Sequence, residues 1–393
     1  MDYTVRLRTM LAVVSLALGI AALGFTTQNG NQGELVVHEW GTFTSIAGRD
    51  GMALEWRPLA ATNDLPGFVY EFAAITNGSG LRHDCTKCDL TGKIRMETPV
   101  LYFYADHDAD VSVRVDFPKG KITEWYPSAR MSVGSSIDWG HFAVMPHTTT
   151  NLLTEPGPNR YYAARETDAA LVRVCNTNGR ATEFEKFLFY RGVGAFDLPI
   201  SVVLDGNRLQ FTGLMGIDQV IVFENQGGNI GFRIVHLSSD TATVERPALG
   251  DSRASLLTAL QQTLVAHGLY EKEARAMIET WRDSWLEEGL RVFYVLPRPV
   301  TDTMLPITID PRPNQLVRVL VGRTEIITTE REAAARAGMR GLDDPSAEVR
   351  TAARAALRKQ GRFMEPVLKQ MLAGEHGDAD ADLVKLAWVM GRD

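Results

Sequence analysis

The chain contains only three cysteines in 393 residues. That is too few for a disulfide scaffold, in which bridges stand in for a hydrophobic core. It has no basic run and a formal net charge of −7, so it lacks the electrostatic footprint of a nucleic-acid binder and no nucleic-acid partner is expected. Signatures of known mechanism are missing as well: there is no H-E-x-x-H, G-x-S-x-G, phosphate-binding loop or dinucleotide fingerprint. Asp106, Asp108 and Asp110 imitate the start of a calcium loop. Val111 stands where that loop needs glycine and Phe117 where it needs glutamate, so the segment reads as a turn.

A single segment is long and apolar, and it lies at the N-terminus. Arg6 and Arg8 precede the run from Met10 to Phe25. As a helix, roughly 16 residues reach about 24 Å, short of the ~30 Å hydrocarbon core. Ala22-Leu23-Gly24 offers small residues at a cleavage site. Residues 1–24 are therefore expected to be a signal peptide, or a short anchor using residues 10–25, followed by a polar linker at 25–33. The folded part is then extracytoplasmic: periplasmic, secreted or membrane-associated.

The chain as a whole is 45% hydrophobic and 23% charged, an ordinary globular composition. Within a β-rich domain expected at 34–328, the pattern from Glu34 to about Pro247 is short alternating or apolar runs between turn residues. Val111, Val113 and Val115 alternate with Ser112, Arg114 and Asp116, as in a half-buried strand. Asp50-Gly51, Asp205-Gly206 and Gln226-Gly227-Gly228 sit between apolar runs like hairpin turns. Roughly ten to twelve strands are expected, forming an antiparallel sandwich or barrel. A helical hairpin at 251–289 interrupts them: Ser252 or Asp251 caps a helix with Leu256, Leu257, Leu260 and Leu264 on one face, and Trp281 and Trp285 stripe the second. A tryptophan stripe of this kind is more often core than a ligand platform.

From Thr329 to Asp393 the chain turns alanine- and arginine-rich. DDPSAEVRTAARAALRKQG resembles the second half of a HEAT repeat, with Val349, Ala353, Ala356 and Leu357 on its inner face and Gly361 at its end. About one and a half repeats cannot bury their own apolar faces, so this tail must dock on the β-rich part or on a partner. The phrases VHEWGTFTS, RMETPVLYFY, ITEWYP, YYAARETDA and FLFYRGVG resemble those of an uncharacterised group of exported, β-rich bacterial proteins. The resemblance spans most of the chain and implies an exported location; it implies no activity.

Several polar residues interrupt apolar strands, where burial is costly unless they are paired. In LVVHEWGTF, His38 shares a face with Val36 and Trp40, and Glu39 lies on the opposite face. Either is a structural residue tied to an arginine or to backbone donors, or a catalytic or metal-binding one. Arg95 and Glu97 are expected beside Leu101 and Phe103, paired at the rim of the core. If YYAARETDAALVRV is a strand, Glu166 and Asp168 share a face with Cα atoms about 6.5 Å apart, where repulsion calls for a proton, a divalent metal or an arginine. His141 and His147 have no metal-site spacing of their own. Cys85 and Cys88 form a C-x-x-C, read as a small disulfide in an exported protein; free thiols, or a metal site with His83 and Cys175, are the alternatives. Cys175 itself reads as a core residue.

Two functions follow. One is a binding or interaction protein whose ligand is an envelope protein or polysaccharide, with the helical tail as docking surface. The other is a hydrolase with catalytic Glu166, Asp168, His38, Glu39 and Glu97, or with a metal held by His38, His141, Glu166 and Asp168. Whether these side chains converge in space separates the two.

Overall fold

The computed structural model describes residues 33–59, 64–72, 90–132, 134–175, 182–214 and 216–375. The expected signal or anchor, the pair Cys85 and Cys88, and the end of the tail lie outside these residues. The described residues from Leu35 onward form one compact unit.

Its centre is an open nine-stranded sheet in the order β14 (Asn229–His236), β13 (Gln219–Gln226), β16 (Gly289–Val295), β18 (Gln315–Ile326), β1 (Leu35–Ala47), β3 (Ile94–Ala105), β10 (Leu188–Gly194), β5 (Gly120–Tyr126) and β2 (Tyr70–Glu71). With β14 and β2 as edges, no barrel closes. The sheet is mixed: β1 runs parallel to β18 from Val36↔Gln315 to Ala47↔Ile326, whereas the other pairs are antiparallel. This corrects a purely antiparallel expectation. The parallel pair is possible because nearly the whole chain separates the two strands, leaving ample length for a crossover.

Two smaller antiparallel sheets cover one face. One contains β17 (Ile307–Asp310), β4 (Ala109–Asp116), β7 (Ser136–Met145), β8 (Leu171–Cys175) and β9 (Thr182–Glu185), with β6 (Arg130–Ser132) on β7. The other is β11 (Ser201–Asp205), β12 (Arg208–Thr212) and β15 (Thr241–Glu245). Leu35, Val37 and Phe43 of the large sheet share one core with Val111, Val113 and Val115 of β4 and with Leu209 of β12. The expected alternation in β4 is thus real. The Asp205-Gly206 and Gln226-Gly227-Gly228 turns also form, Gly227 and Gly228 taking φ of 59° and 92°, which side chains with a Cβ resist.

Helices cover the opposite face. Ser252 caps α1 (Arg253–Ala266) by accepting from the Ser255 backbone N–H at 3.1 Å. Leu256, Leu260 and Leu264 of α1, with Trp281 and Trp285 of α2 (Glu271–Trp285), pack on Trp40, Tyr102, Phe293 and Val319 of the sheet. The tryptophan stripe is core. No helix among the described residues is long and apolar enough to cross a membrane.

Three local expectations fail for identifiable reasons. Arg95 and Glu97 do not share the face of Leu101 and Phe103; the latter two join the inner core, whereas Arg95 and Glu97 face the helical side. A register shift between Trp40 and Thr42, with Thr98 at φ 41°, adds a residue to β3 and reverses its faces. Cys175 is exposed at the end of β8. Val349 and Ala356 are also exposed, and only Ala353 and Leu357 of that group are buried.

The tail consists of α4 (Thr329–Leu342), α5 (Ala347–Lys359), a 3-10 turn at Arg362–Met364 and α6 (Glu365–Glu375), following the short α3 (Arg298–Met304). Its helices share a core of Ala335, Met339, Leu357, Val367 and Leu368. It docks on the β-rich part through Phe363, which packs with Ile46 and Trp56, at 5.6 Å between rings for the latter. The same ring lies 4.7 Å from the Arg323 guanidinium and 4.7 Å from that of Arg362. Phe363→Ala is expected to cost about 3–5 kcal/mol in urea unfolding, because it removes a buried ring that nothing can replace. A loss below about 1 kcal/mol would show that the tail contributes little to the fold.

Candidate functional site

Strand β1 places His38 and Glu39 on opposite faces, so adjacent residues cannot act together. His38 is fully buried, its Nδ1 2.8 Å from Glu273 Oε2. Glu273 sits in the first turn of α2, where it also accepts from the Tyr270 backbone N–H at 2.7 Å and the Tyr104 hydroxyl at 2.8 Å. Rings of Tyr104 and Tyr270 flank the imidazole, and His38 Nε2 has no partner. The carboxylate is saturated by three donors and locks α2 to the sheet. On the other face, Glu39 is buried with Arg318 and the Tyr190 hydroxyl, and Arg318 continues to Asp302 at 2.8 Å. Each of these two buried acids is thus tied to an arginine or to tyrosine hydroxyls, which offset the cost of its burial.

Glu97 belongs to a row of charge crossing the helix-side face of the sheet. Its Oε1 lies 3.2 Å from Arg95 Nε and 3.1 Å from Arg362 Nη2, and its Oε2 accepts from Thr44 at 2.9 Å. The expected Arg95–Glu97 pair therefore exists, though on the other face. Arg323 bonds Ser284 at 2.9 Å and Glu287 at 2.7 Å. Glu325 takes Arg291 at 2.8 Å and Arg331 at 3.1 Å. Arg191 meets Glu124 at 3.0 Å and Asp64 at 2.8 Å. Burial pushes the Glu97 carboxyl up, but Arg362, Arg95, Arg323 and the Thr44 hydroxyl together hold it below the usual carboxylate range.

Glu166 and Asp168 are not on a strand. Arg160–Arg165 forms a 3-10 turn, capped by Asn159 at 2.9 Å, and Glu166 ends it. The Asn159 side chain accepts from the Tyr161 backbone N–H, a local bond that competes with a strand ladder. Glu166 and Asp168 are both exposed, and Asp168 pairs with Lys272. His141 is exposed on β7, 3.2 Å from Asp110. Thus Glu166 and Asp168 are near each other, but His38, Glu39, Glu97 and His141 each have their own distant partners. No group of three His, Cys, Asp or Glu side chains suited to a metal ion occurs among the described residues.

The neighbourhood of Glu166 does form a concave surface. A groove of about 660 Å³ runs between the 3-10 turn and α2, where Lys272, Arg275, Ala276 and Glu279 recur on one helical face. It shares Thr167 and Lys186 with an adjoining hollow of about 290 Å³, lined also by Thr148 and Asp168. Lys186 Nζ donates to the Thr167 and Ala169 carbonyls, each at 3.1 Å. Beneath it, Glu185 is buried with Arg165 at 2.7 Å and Tyr161 at 3.2 Å; burial pushes its carboxyl up despite the arginine. Of the lining cations, Arg165 is neutralised by Glu185 and Lys272 by Asp168, and the lining Glu279 is paired to Arg282 at 2.8 Å. Lys186 and Arg275 meet no carboxylate in an ion pair among the described residues, so with Glu166 beside them the groove carries both signs with a small cationic excess, suited to an anionic ligand carrying hydrogen-bond donors.

Lys186, Lys272 and Arg275 are not apparent as a group from the sequence, since about a hundred residues separate the first from the others. The sole local signal is the i, i+3 spacing of Lys272 and Arg275. Comparison with protein-family models and with curated proteins yields no match to this chain.

Replacing Glu166 by Gln together with Asp168 by Asn is expected to change stability by less than about 0.5 kcal/mol, since both are exposed. Glu273→Gln, which turns one of its oxygens into a donor facing donors, should cost about 1–3 kcal/mol. Urea unfolding checks both; the reverse ranking would place the strained pair at Glu166 and Asp168.

Proposed function

We propose that this is an exported, extracytoplasmic binding protein that holds an acidic polysaccharide of the cell envelope in the groove between α2 and the 3-10 turn. The observation that carries this reading is an open groove that continues past Lys186 into a second hollow, with Lys186 and Arg275 on its wall outside any ion pair among the described residues. An elongated, open, cationic surface suits a polymer better than a small substrate, which is usually enclosed. Of the hydrolase candidates only Glu166 and Asp168 lie near one another, and both are exposed, with Asp168 paired to Lys272. Glu39 and Glu97 instead stand on opposite faces of the sheet, each neutralised by arginine. His38 is sealed under α2. In the same reading the helical tail serves the protein's own β-rich part as a lid over the charge row, so its docking surface is already occupied.

The export half of the proposal is tested by intact mass: protein recovered from the envelope should begin at Phe25 or within a few residues, and a Met1 start in a membrane fraction would mean an anchor. The binding half is tested by titrating polygalacturonate, with neutral dextran as control. The Lys272→Gln, Arg275→Gln double variant should bind about tenfold more weakly, a loss of about 1.4 kcal/mol, and affinity should fall with salt. Both side chains are exposed, so the melting temperature should not move. Equal affinity of variant and parent would remove the groove from the reading.

A further inference from the structure

The two hollows that meet at Lys186 differ in chemistry. The larger, between α2 and the 3-10 turn, carries Lys186 and Arg275 outside any ion pair among the described residues, with Glu166 beside them. The smaller is walled by the loop after β7, where Thr148, Thr149 and Thr150 present three hydroxyls and Leu152 an apolar side chain. Two charged residues among the described ones line it: Lys186 on the shared wall, and Asp168. Thr148 is half-buried and Thr149 and Thr150 are exposed, so these hydroxyls face solvent or ligand rather than a core. Lys186 Nζ uses two of its three protons on the Thr167 and Ala169 carbonyls, each at 3.1 Å, and keeps one.

These two surfaces sort a polymer by its units. An acidic group is attracted where two cations lack counter-charges, on the Arg275 side of Lys186. In the smaller hollow it would meet the Asp168 carboxylate, whose partner Lys272 lines the larger groove instead. Like charges at close range disfavour that placement. A neutral sugar fits the smaller hollow better. Its hydroxyl and amide groups can donate to Asp168 and exchange hydrogen bonds with the threonine hydroxyls, each of which both donates and accepts. We infer, resting on the reading that this groove holds an acidic polysaccharide, that the polymer alternates acidic and neutral sugars. The acidic unit lies beside Lys186 and Arg275, and the neutral unit lies in the threonine hollow. Charge attraction alone makes the opposite choice, since it favours a polymer with an acid on every unit.

The test is calorimetric titration of the full chain with two hexasaccharides at one ionic strength. One alternates glucuronate with N-acetylglucosamine; the other is oligogalacturonate, acidic at every unit. The alternating ligand, with half the charge, should bind about fivefold tighter, the net worth of one or two hydrogen bonds. The triple variant Thr148→Ala, Thr149→Ala, Thr150→Ala should erase that preference and leave oligogalacturonate affinity unchanged. Asp168→Asn, read as the ratio of the two affinities, should narrow the preference by admitting an acidic unit to the hollow. Equal affinities, tighter oligogalacturonate binding, or a preference that survives the threonine variant would overturn the alternating polymer while leaving an acidic polysaccharide in the groove. Binding of neither ligand would remove the polysaccharide reading and this inference with it.

Discussion

The structure depends on how it neutralises buried arginine. Arg291, Arg323, Arg95 and Arg191 stand on neighbouring or near-neighbouring strands of the large sheet, all facing the helical side and all at most 5% exposed. Desolvating a guanidinium costs several kcal/mol unless a carboxylate and further acceptors surround it. The acceptors come from distant parts of the chain: Glu287 and Ser284 at the end of α2, Asp64 from the loop before β2, and Glu97, Glu124 and Glu325 from the sheet itself. The tail then closes the row with Arg331, Arg362 and Phe363. Removing one member would leave its partner buried and uncompensated, so helix, loop, sheet and tail are held to one arrangement.

This explains why the polar interruptions in the strands read equally as site candidates and as ion pairs. A histidine, glutamate or arginine within an apolar run is equally expected of a catalytic centre and of an ion pair that fixes strand packing. What separates the two is the partner, and here each partner is remote: Glu273 for His38, Arg318 for Glu39, Arg362 for Glu97. Sequence separations of 235, 279 and 265 residues leave no local spacing from which to infer them.

Features set by nearest neighbours were legible. The alternation of β4, the glycine turns after Asp205 and Gln226, the serine cap of α1, the buried tryptophans of α2 and the mainly β class all follow from residues within a few positions of one another. Features set by an added residue were not. The extra residue near Thr98 turned Arg95 and Glu97 to the helical side, and the Asn159-capped turn took Glu166 and Asp168 out of any strand. A period-two argument is right about relative faces only while the ladder is unbroken. The parallel partnership of β1 with β18 joins the two ends of the β-rich region, and no turn signal can announce such a pairing.

Helix α2 is where these threads meet. Its first turn supplies Glu273 to His38, its buried face supplies Trp281 and Trp285 to the core, and its end supplies Ser284 and Glu287 to Arg323. Its outward face supplies Lys272, Arg275 and Glu279 to the groove. Because both ends are fixed by buried charge and the middle by aromatic packing, the backbone carrying the cations of its outer face is held in position. Pre-ordered cations lose less conformational freedom on binding than cations on a mobile loop. The polar interior thus fixes α2 at both ends, and with it the backbone that carries Lys272, Arg275 and Glu279.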